Sequence, residues 1–203
     1  MSDERRKAWD EAYKSQGVLW SRSHEKWFET KVDDLILDLG CGSGKSSDHL
    51  EGTVIGVDFS IKALKLAEEK SPDFNPVCSN VVALPFRDST FDFVRASFVL
   101  GHLTEKERKN CLCEISRILN THGSIAVEVF STEDGRYGKG KEIETGTIQN
   151  GKNVIHHFFE KRELEGLLSA FTIEEMGTVE WKQKIRLKKS MKRSIIRVLA
   201  RKK

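Results

Sequence analysis

The chain has 203 residues, 38% of them apolar and 32% charged, with a formal net charge of +3. That length suits one α/β domain with a buried core, and no apolar run approaches the roughly 20 residues that cross a bilayer. The opening MSDERRKAWDEAYK has no apolar stretch and does not read as a signal peptide; Cys41, Cys78, Cys111 and Cys113 form no CxxC pair and no metal spacing, so reduced thiols, no metal and a cytoplasmic setting are expected.

Taken in chain order, Asp3 to Gln16 reads as a helix with Trp9 and Tyr13 four apart on one face. Gly17 ends it, and Trp20, Trp27 and Phe28 suggest a second short amphipathic piece. LILDL (35–39) is an apolar run closed by glycines and reads as a buried strand. Lys45 to Leu50 is expected to start a helix. TVIGVD (53–58) is a second strand, and Ile61 to Lys70 a helix capped by Ser60. Phe74 to Ser79 and FDFVRA (91–96) are the third and fourth strands.

Thr104 to Leu119 carries a capping box, Thr104 with Glu107, and an apolar stripe of Leu112, Ile115, Ile118 and Leu119. Gly123 marks a turn before SIAVEVF (124–130), the fifth strand. Residues 131–153 are polar and Gly-rich without a clear period. Such length exceeds a plain connection and points to a functional insertion. Glu160 to Ala170 is a helix, with further strands near 171–179 and 194–200. Strand–helix alternation implies a mostly parallel sheet covered on both faces.

The charge is uneven. Residues 181–203 hold 11 Lys/Arg and no acid, and the preceding 180 residues carry a net −8. A polyanionic partner is one reading of this basic strand and tail. A solvated terminal strand with cations along its edge is the other.

The segment ILDLGCGSGK sets Gly40, Gly42 and Gly44 between a strand and the residues expected to turn helical. Glycines there permit a tight turn and close backbone approach to a ligand. A dinucleotide GxGxxG would need its third glycine at Lys45. A phosphate-binding GxxxxGK[ST] would need its first at Leu39. GxGxG preceded by Asp38 fits every position. Asp58 closes the second strand, where a carboxylate can accept from both hydroxyls of a ribose; capping the next helix is its alternative role.

These residues resemble a class I S-adenosylmethionine-dependent methyltransferase. ILDLGCGSGK is similar to the family's first motif and VIGVDFS to its second. CSNVVALPFRDSTFDFVRASFVLGHL resembles the adenine-contacting turn, the LPF element and the fourth strand. LCEISRILNTHGSIAVEVF resembles the following helix, turn and fifth strand, with Asn120-Thr121-His122-Gly123 in place of the commoner Lys-Pro-Gly-Gly. The resemblance covers roughly residues 35–130 and implies a Rossmann-like three-layer α/β sandwich. Its seven-stranded sheet would be mostly parallel, with an antiparallel last strand. S-adenosylmethionine is the implied cofactor, and no metal is implied.

Carried over residue by residue, Gly40, Cys41, Gly42 and Gly44 would border the methionine moiety. Asp58 would hold the ribose beside Ser60, and Phe59 would pack on the adenine. Asn80 and Val81 would meet the adenine edge; Asn80 stands where the family more often has Asp. Ser97 would lie near the substrate mouth. Asp38 either orients the loop or joins the contacts, and Asp92 is similarly open between support and contact.

A sulfonium methyl is already activated, so alignment of the acceptor carries most of the task and no triad is expected. A base is needed only where the acceptor must lose a proton. His102, His157 and Tyr137 are candidates, with Arg136 a further acceptor contact. His156 and His157 would point to opposite faces of a strand. The pattern Trp9, Tyr13, Gly17, Trp20 resembles small-molecule methyltransferases, with residues 1–30 a helical lid over the cofactor. A small-molecule acceptor is the first reading. An RNA branch acting on a modified wobble uridine of tRNA, using the basic C-terminus, is the second. A non-catalytic cofactor-binding module is the third, and no membrane partner is expected.

Overall fold

Short apolar runs between glycines become the parallel strands. The computed structural model describes residues 2–16, 27–45, 47–71, 74–150, 154–184 and 190–203. LILDL forms β1 (Leu35–Leu39), TVIGVD forms β2 (Thr53–Asp58), and β3 (Asn75–Cys78) and β4 (Phe91–Ser97) follow. β5 is longer, Leu119–Phe130, because the chain is already extended from the end of the preceding helix. These five run parallel. β9 (Phe171–Lys184) and β10 (Ser190–Lys202) complete a seven-stranded sheet in the order β3-β2-β1-β4-β5-β10-β9, with β10 antiparallel to both neighbours.

The basic terminal strand is therefore interior to the sheet, and β9 is the edge. This corrects the solvated-strand reading: β10 buries Ile195, Ile196, Val198 and Ala200. Its described cations are held within the chain. Lys192 pairs with Glu180 at 2.8 Å, Arg193 with Asp134 at 2.8 Å, Arg197 with Glu128 at 3.0 Å and Arg201 with Glu174 at 2.7 Å. Lys202 and Lys203 donate to the Leu119 and Ser169 carbonyls, each at 2.7 Å.

Three helices have the expected bounds within a residue, α1 (Asp3–Gln16), α2 (Ile61–Lys70) and α3 (Glu105–Ile118), and α4 (Lys161–Leu167) ends three residues before the expected Ala170. Ser60 caps α2, its hydroxyl accepting from the Ala63 N–H at 3.1 Å. The Glu107 carboxylate accepts from the Thr104 N–H at 2.9 Å at the start of α3. The α3 stripe Leu112, Ile115 and Ile118 enters the main core with Leu37, Leu39, Val57, Val94 and Val127. On the opposite face Ile36, Phe93 and Ala126 are covered by Trp27, Phe28 and Leu199.

Two expectations change. Lys45 to Leu50 forms only a 3-10 turn, Ser47–His49. The Ser47 hydroxyl is drawn inward to Asp38 at 2.5 Å, and serine side chains engaged this way compete with helix propagation. Residues 131–150 are more ordered than their composition suggested, while 151–153 fall outside the described residues: β6 (Lys141–Glu144) and β7 (Thr147–Gln149) join β8 (Ile155–His157) in a small antiparallel sheet. Trp27 and Phe28 lie in irregular chain, while Gly17 and Trp20 fall outside the described residues. No helix among the described residues is long and apolar enough to cross a membrane.

β1 is the switch point. The chain leaves it toward β2 and β3, then crosses back to β4 on its other side. Such a reversal opens a crevice beyond the carboxyl ends of the parallel strands, where this fold class binds ligands.

Candidate active site at the carboxyl edge of the sheet

The glycine loop sits at that crevice. Gly40, Gly42 and Gly44 all have left-handed backbone, with φ of 71°, 55° and 68°. The Gly40 and Cys41 N–H groups donate to the Val57 carbonyl, which ties the loop to the end of β2. A side chain on Gly42 would collide with the Tyr13 hydroxyl, and one on Gly40 would lie 2.9 Å from Val99. The loop is thus a bare backbone cradle.

Asp58, at the end of β2, braces it. One carboxylate oxygen accepts from the Gly42 N–H at 3.0 Å, the other from the Ser60 N–H at 2.8 Å. The Phe59 N–H is a third backbone donor to this carboxylate, which leaves it with acceptor capacity to spare. Burial raises this carboxyl to about 6 against the pull of its backbone donors. The Cys41 thiol is buried beside it, and desolvation followed by the Asp58 charge pushes its pKa far up; such a thiol is inert.

Behind the loop, Asp38 forms an ion pair with Arg95 at 3.0 Å, both buried. Arg95 stands opposite Asp38 in the β1–β4 register. Asp38 therefore steadies the loop through Ser47 and is turned to Arg95. Ser97 and Glu128 are likewise register partners, and the Ser97 hydroxyl donates to Glu128 at 2.7 Å. Arg197 closes this set on the other oxygen at 3.0 Å. Asp92 is structural: it accepts from the Leu35 N–H and the Asn120 amide.

Past β3, the Asn80 side-chain oxygen accepts from the Val82 N–H at 3.3 Å, forming a tight turn that buries Val81. Phe59 is half-buried next to Asp58.

α1 lies across this edge. The Ser60 hydroxyl donates to Asp10 at 2.6 Å, and Arg5 reaches Glu107 and the His102 carbonyl. Tyr13 is buried over Gly42, its hydroxyl pushed up first by desolvation and then by Asp58. Trp9 meets the His102 ring edge-on at 4.7 Å.

The histidines separate as their alternation requires. His102 and His156 have ring centroids 4.7 Å apart. His102 Nδ1 lies 2.8 Å from the Ile155 carbonyl, which can only accept, so Nδ1 carries the proton and Nε2 the lone pair. Burial lowers His102 to about 4; burial and the His102 charge lower His156 to about 2. Both are neutral at pH 7. His157 is buried on the other side, with its ring nitrogens 2.8 Å from the Thr147 hydroxyl and from Glu163. Tyr137 is 41% exposed and packs on Phe158. Among the described residues no group of three or more His, Cys, Asp or Glu could hold a metal.

Residues 37–127 match a family described as "Methyltransferase domain". That stretch, together with the fold around it, is similar to the class I S-adenosylmethionine-dependent methyltransferases. The chain is 27% identical, with a TM-score of 0.70, to a SAM-dependent methyltransferase from Methanosarcina mazei, covering 85% of this chain and 94% of that one. A demethylmenaquinone methyltransferase of Renibacterium salmoninarum is 34% identical over 47% of this chain and 41% of its own. A 2-phytyl-1,4-naphtoquinone methyltransferase of Nostoc sp. is 33% identical over 57% and 55%. This methyltransferase spans about half the length of those curated relatives.

S-adenosylmethionine is the family's cofactor, and the residues present fit it. The loop has room only for backbone at Gly40 and Gly42, and Asp58 retains acceptor capacity beyond its backbone donors. Asp10, Arg5 and Arg95 were not singled out in the sequence. Arg95 had a signal, a cation inside an apolar strand opposite a strand acid; Asp10 and Arg5 had none, lying on a helix rich in both charges.

Proposed function

We propose that this methyltransferase moves a methyl group from S-adenosylmethionine to a small-molecule acceptor. The observation that carries the reading is Asp58 braced by Gly42 and Ser60 beside a loop with three glycines in left-handed backbone. Asp58 accepts from the ribose hydroxyls, and Gly40, Cys41, Gly42 and Gly44 border the methionine moiety. Phe59, Asn80 and Val81 take the adenine. Ser60 orients Asp58 and caps α2, and Asp38 holds the loop from behind. Ser97 stands at the mouth with its hydroxyl committed to Glu128.

When bound, the cofactor supplies an electrophilic methyl group on a sulfonium sulfur. The chain aligns the acceptor and excludes water, with α1 as the cover and the segment 131–153 beside the acceptor. His102 Nε2 takes a proton where the acceptor must lose one; its neutral state at pH 7 leaves that lone pair available. Tyr137 rims the acceptor region, and His157 supports it from the small sheet.

The small-molecule reading is favoured by the basic strand itself, whose described cations from Lys192 onward are held by the chain's own acceptors. The test is a labelled methyl-transfer screen over small thiols, amines, phenols and carboxylates, and over tRNA. Reversing Lys182 and Lys184 to Glu should leave small-molecule turnover within about threefold, since the crevice lies elsewhere. Transfer to tRNA that weakens steeply with salt and is lost in that variant would establish the nucleic-acid reading instead.

A further inference from the structure

Beyond the histidine pair, the carboxyl end of β5 carries more cationic charge than it neutralises. Phe130 ends β5. The Arg136 guanidinium lies 3.8 Å from its ring centroid and that of Arg193 lies 4.8 Å away. Phe158 and Trp181 flank the pair, at 5.8 Å from Arg136 and 5.6 Å from Arg193 respectively. Both guanidiniums lean on one carboxylate, Asp134, at 2.9 Å and 2.8 Å. Two cations share one anion, and the excess is one positive charge held among aromatic rings.

The hydrogen bonds are incomplete in the same place. Nη2 of Arg136 and Nη2 of Arg193 are buried and have no acceptor among the described residues. The Arg193 side chain is only 7% exposed. A buried charged donor left unpaired is costly, and one that persists calls for an acceptor such as an ion, a water or a ligand group. The neighbouring imidazoles do not compensate, because His102 and His156 are neutral at pH 7 and offer no negative charge.

Position gives the excess charge its use. Phe98, whose left-handed backbone (φ 61°) follows β4, stacks on Phe130 at 4.6 Å. The Phe98 N–H bonds to the Glu128 carbonyl, so this aromatic step sits directly beyond Ser97. Trp9, His102 and His156 continue the row toward α1.

We propose that Arg136 and Arg193 form an anion-binding subsite for the methyl acceptor, and that the acceptor is an aromatic or conjugated molecule bearing a carboxylate. This rests on the methyltransferase reading above. The rings supply flat apolar contact and the unpaired guanidinium N–H groups take the carboxylate in charge-assisted bonds. The acid is held at the Phe130 end, which leaves the rest of the molecule to extend toward Ser97 and His102.

The experiment uses the full chain saturated with S-adenosylhomocysteine and calorimetric titration of three acid–amide pairs: 4-hydroxybenzoate, 2-naphthoate and indole-3-acetate, each against its carboxamide. At least one acid should bind about tenfold or more tighter than its amide, as one buried charged pair implies. Arg136→Gln should erase that preference and leave S-adenosylhomocysteine affinity unchanged, while Arg136→Lys should keep part of it. Equal binding of acid and amide in the native protein overturns the proposal without recourse to any variant. So does the failure of all three acids to bind, or an undiminished preference in Arg136→Gln. Absence of S-adenosylhomocysteine binding would strike at the methyltransferase reading, and the acid–amide comparison would then be made on the protein alone.

Discussion

Replacing Asp58 with Asn keeps the side chain's shape and changes only what it can accept. The carboxylate takes backbone N–H groups of Gly42, Ser60 and Phe59 and keeps acceptor capacity for the ribose. The amide turns an NH2 toward one of those backbone donors, so the loop and the ribose both lose an acceptor. Hydrogen bonds to a charged group contribute about 1.5–3 kcal/mol each. The loop's loss falls on the ligand-free and bound states alike, so the ribose bond sets the effect: S-adenosylhomocysteine binds about 1.5–3 kcal/mol more weakly, roughly ten- to a hundredfold in dissociation constant.

The same carboxyl predicts two pH slopes of opposite sign. Its folded-state pKa, about 6, lies above the ordinary 3.8 because burial disfavours the charge. The ligand-free fold therefore binds this proton more tightly than the unfolded chain. The stability it contributes is fully present below about pH 4 and is lost as pH rises through 6. Cofactor affinity runs the other way, since only the ionised form accepts from both hydroxyls; it should weaken about tenfold per pH unit below 6. Calorimetry of S-adenosylhomocysteine binding and thermal melts, each from pH 5 to 8, measure both slopes in the native protein and in Asp58→Asn, where both should flatten. Native affinity that does not change between pH 5 and 7, or an Asn variant within threefold of native, would refute the ribose assignment.

Two other outcomes follow from neighbouring contacts. Arg95→Met strands the Asp38 charge in the interior, so the melting temperature should fall by roughly 10 °C, from about 3–5 kcal/mol lost in a chain this size; Asp38→Asn in the same molecule should restore much of it, measured by thermal melts. His102→Gln should slow transfer to an acceptor that must lose a proton by about a hundredfold or more, while S-adenosylhomocysteine affinity stays native in calorimetry; equal rates would remove His102 from proton transfer.

The sequence was readable where local chemistry and tertiary demand agree. α1 ends as expected at Gln16, α2 begins after the Ser60 cap, and the GxGxG spacing alone fits the left-handed angles found at Gly40, Gly42 and Gly44. It was misleading where a distant partner decides. Lys45 to Leu50 reads as helix until Asp38, on another element, captures the Ser47 hydroxyl. The terminal strand looks like an exposed basic ribbon until each cation meets a carboxylate or carbonyl from the body. The small β6-β7-β8 sheet leaves little periodicity, because its strands are three or four residues long and its buried contacts come from Phe130 and Ile195 outside it. The proposed acceptor subsite was only half legible: Arg136 was singled out in the sequence, but Arg193 sits about sixty positions from Asp134 and Arg136, and only the antiparallel return of β10 joins them.

α1 touches both halves of the catalytic edge. Asp10 and Tyr13 sit over Ser60 and Gly42, and Trp9 and Arg5 sit against His102 and Glu107. Its 14 residues make a rod about 21 Å long. A rod fastened at two places does not open at one end only. In the methyl transfer proposed above, departure of spent cofactor and departure of methylated product would draw on a single event, with turnover timed by the rate at which those side-chain fastenings let go together. Loosening any one of them would then shorten the residence of both molecules at once, setting speed against retention of reactants in α1.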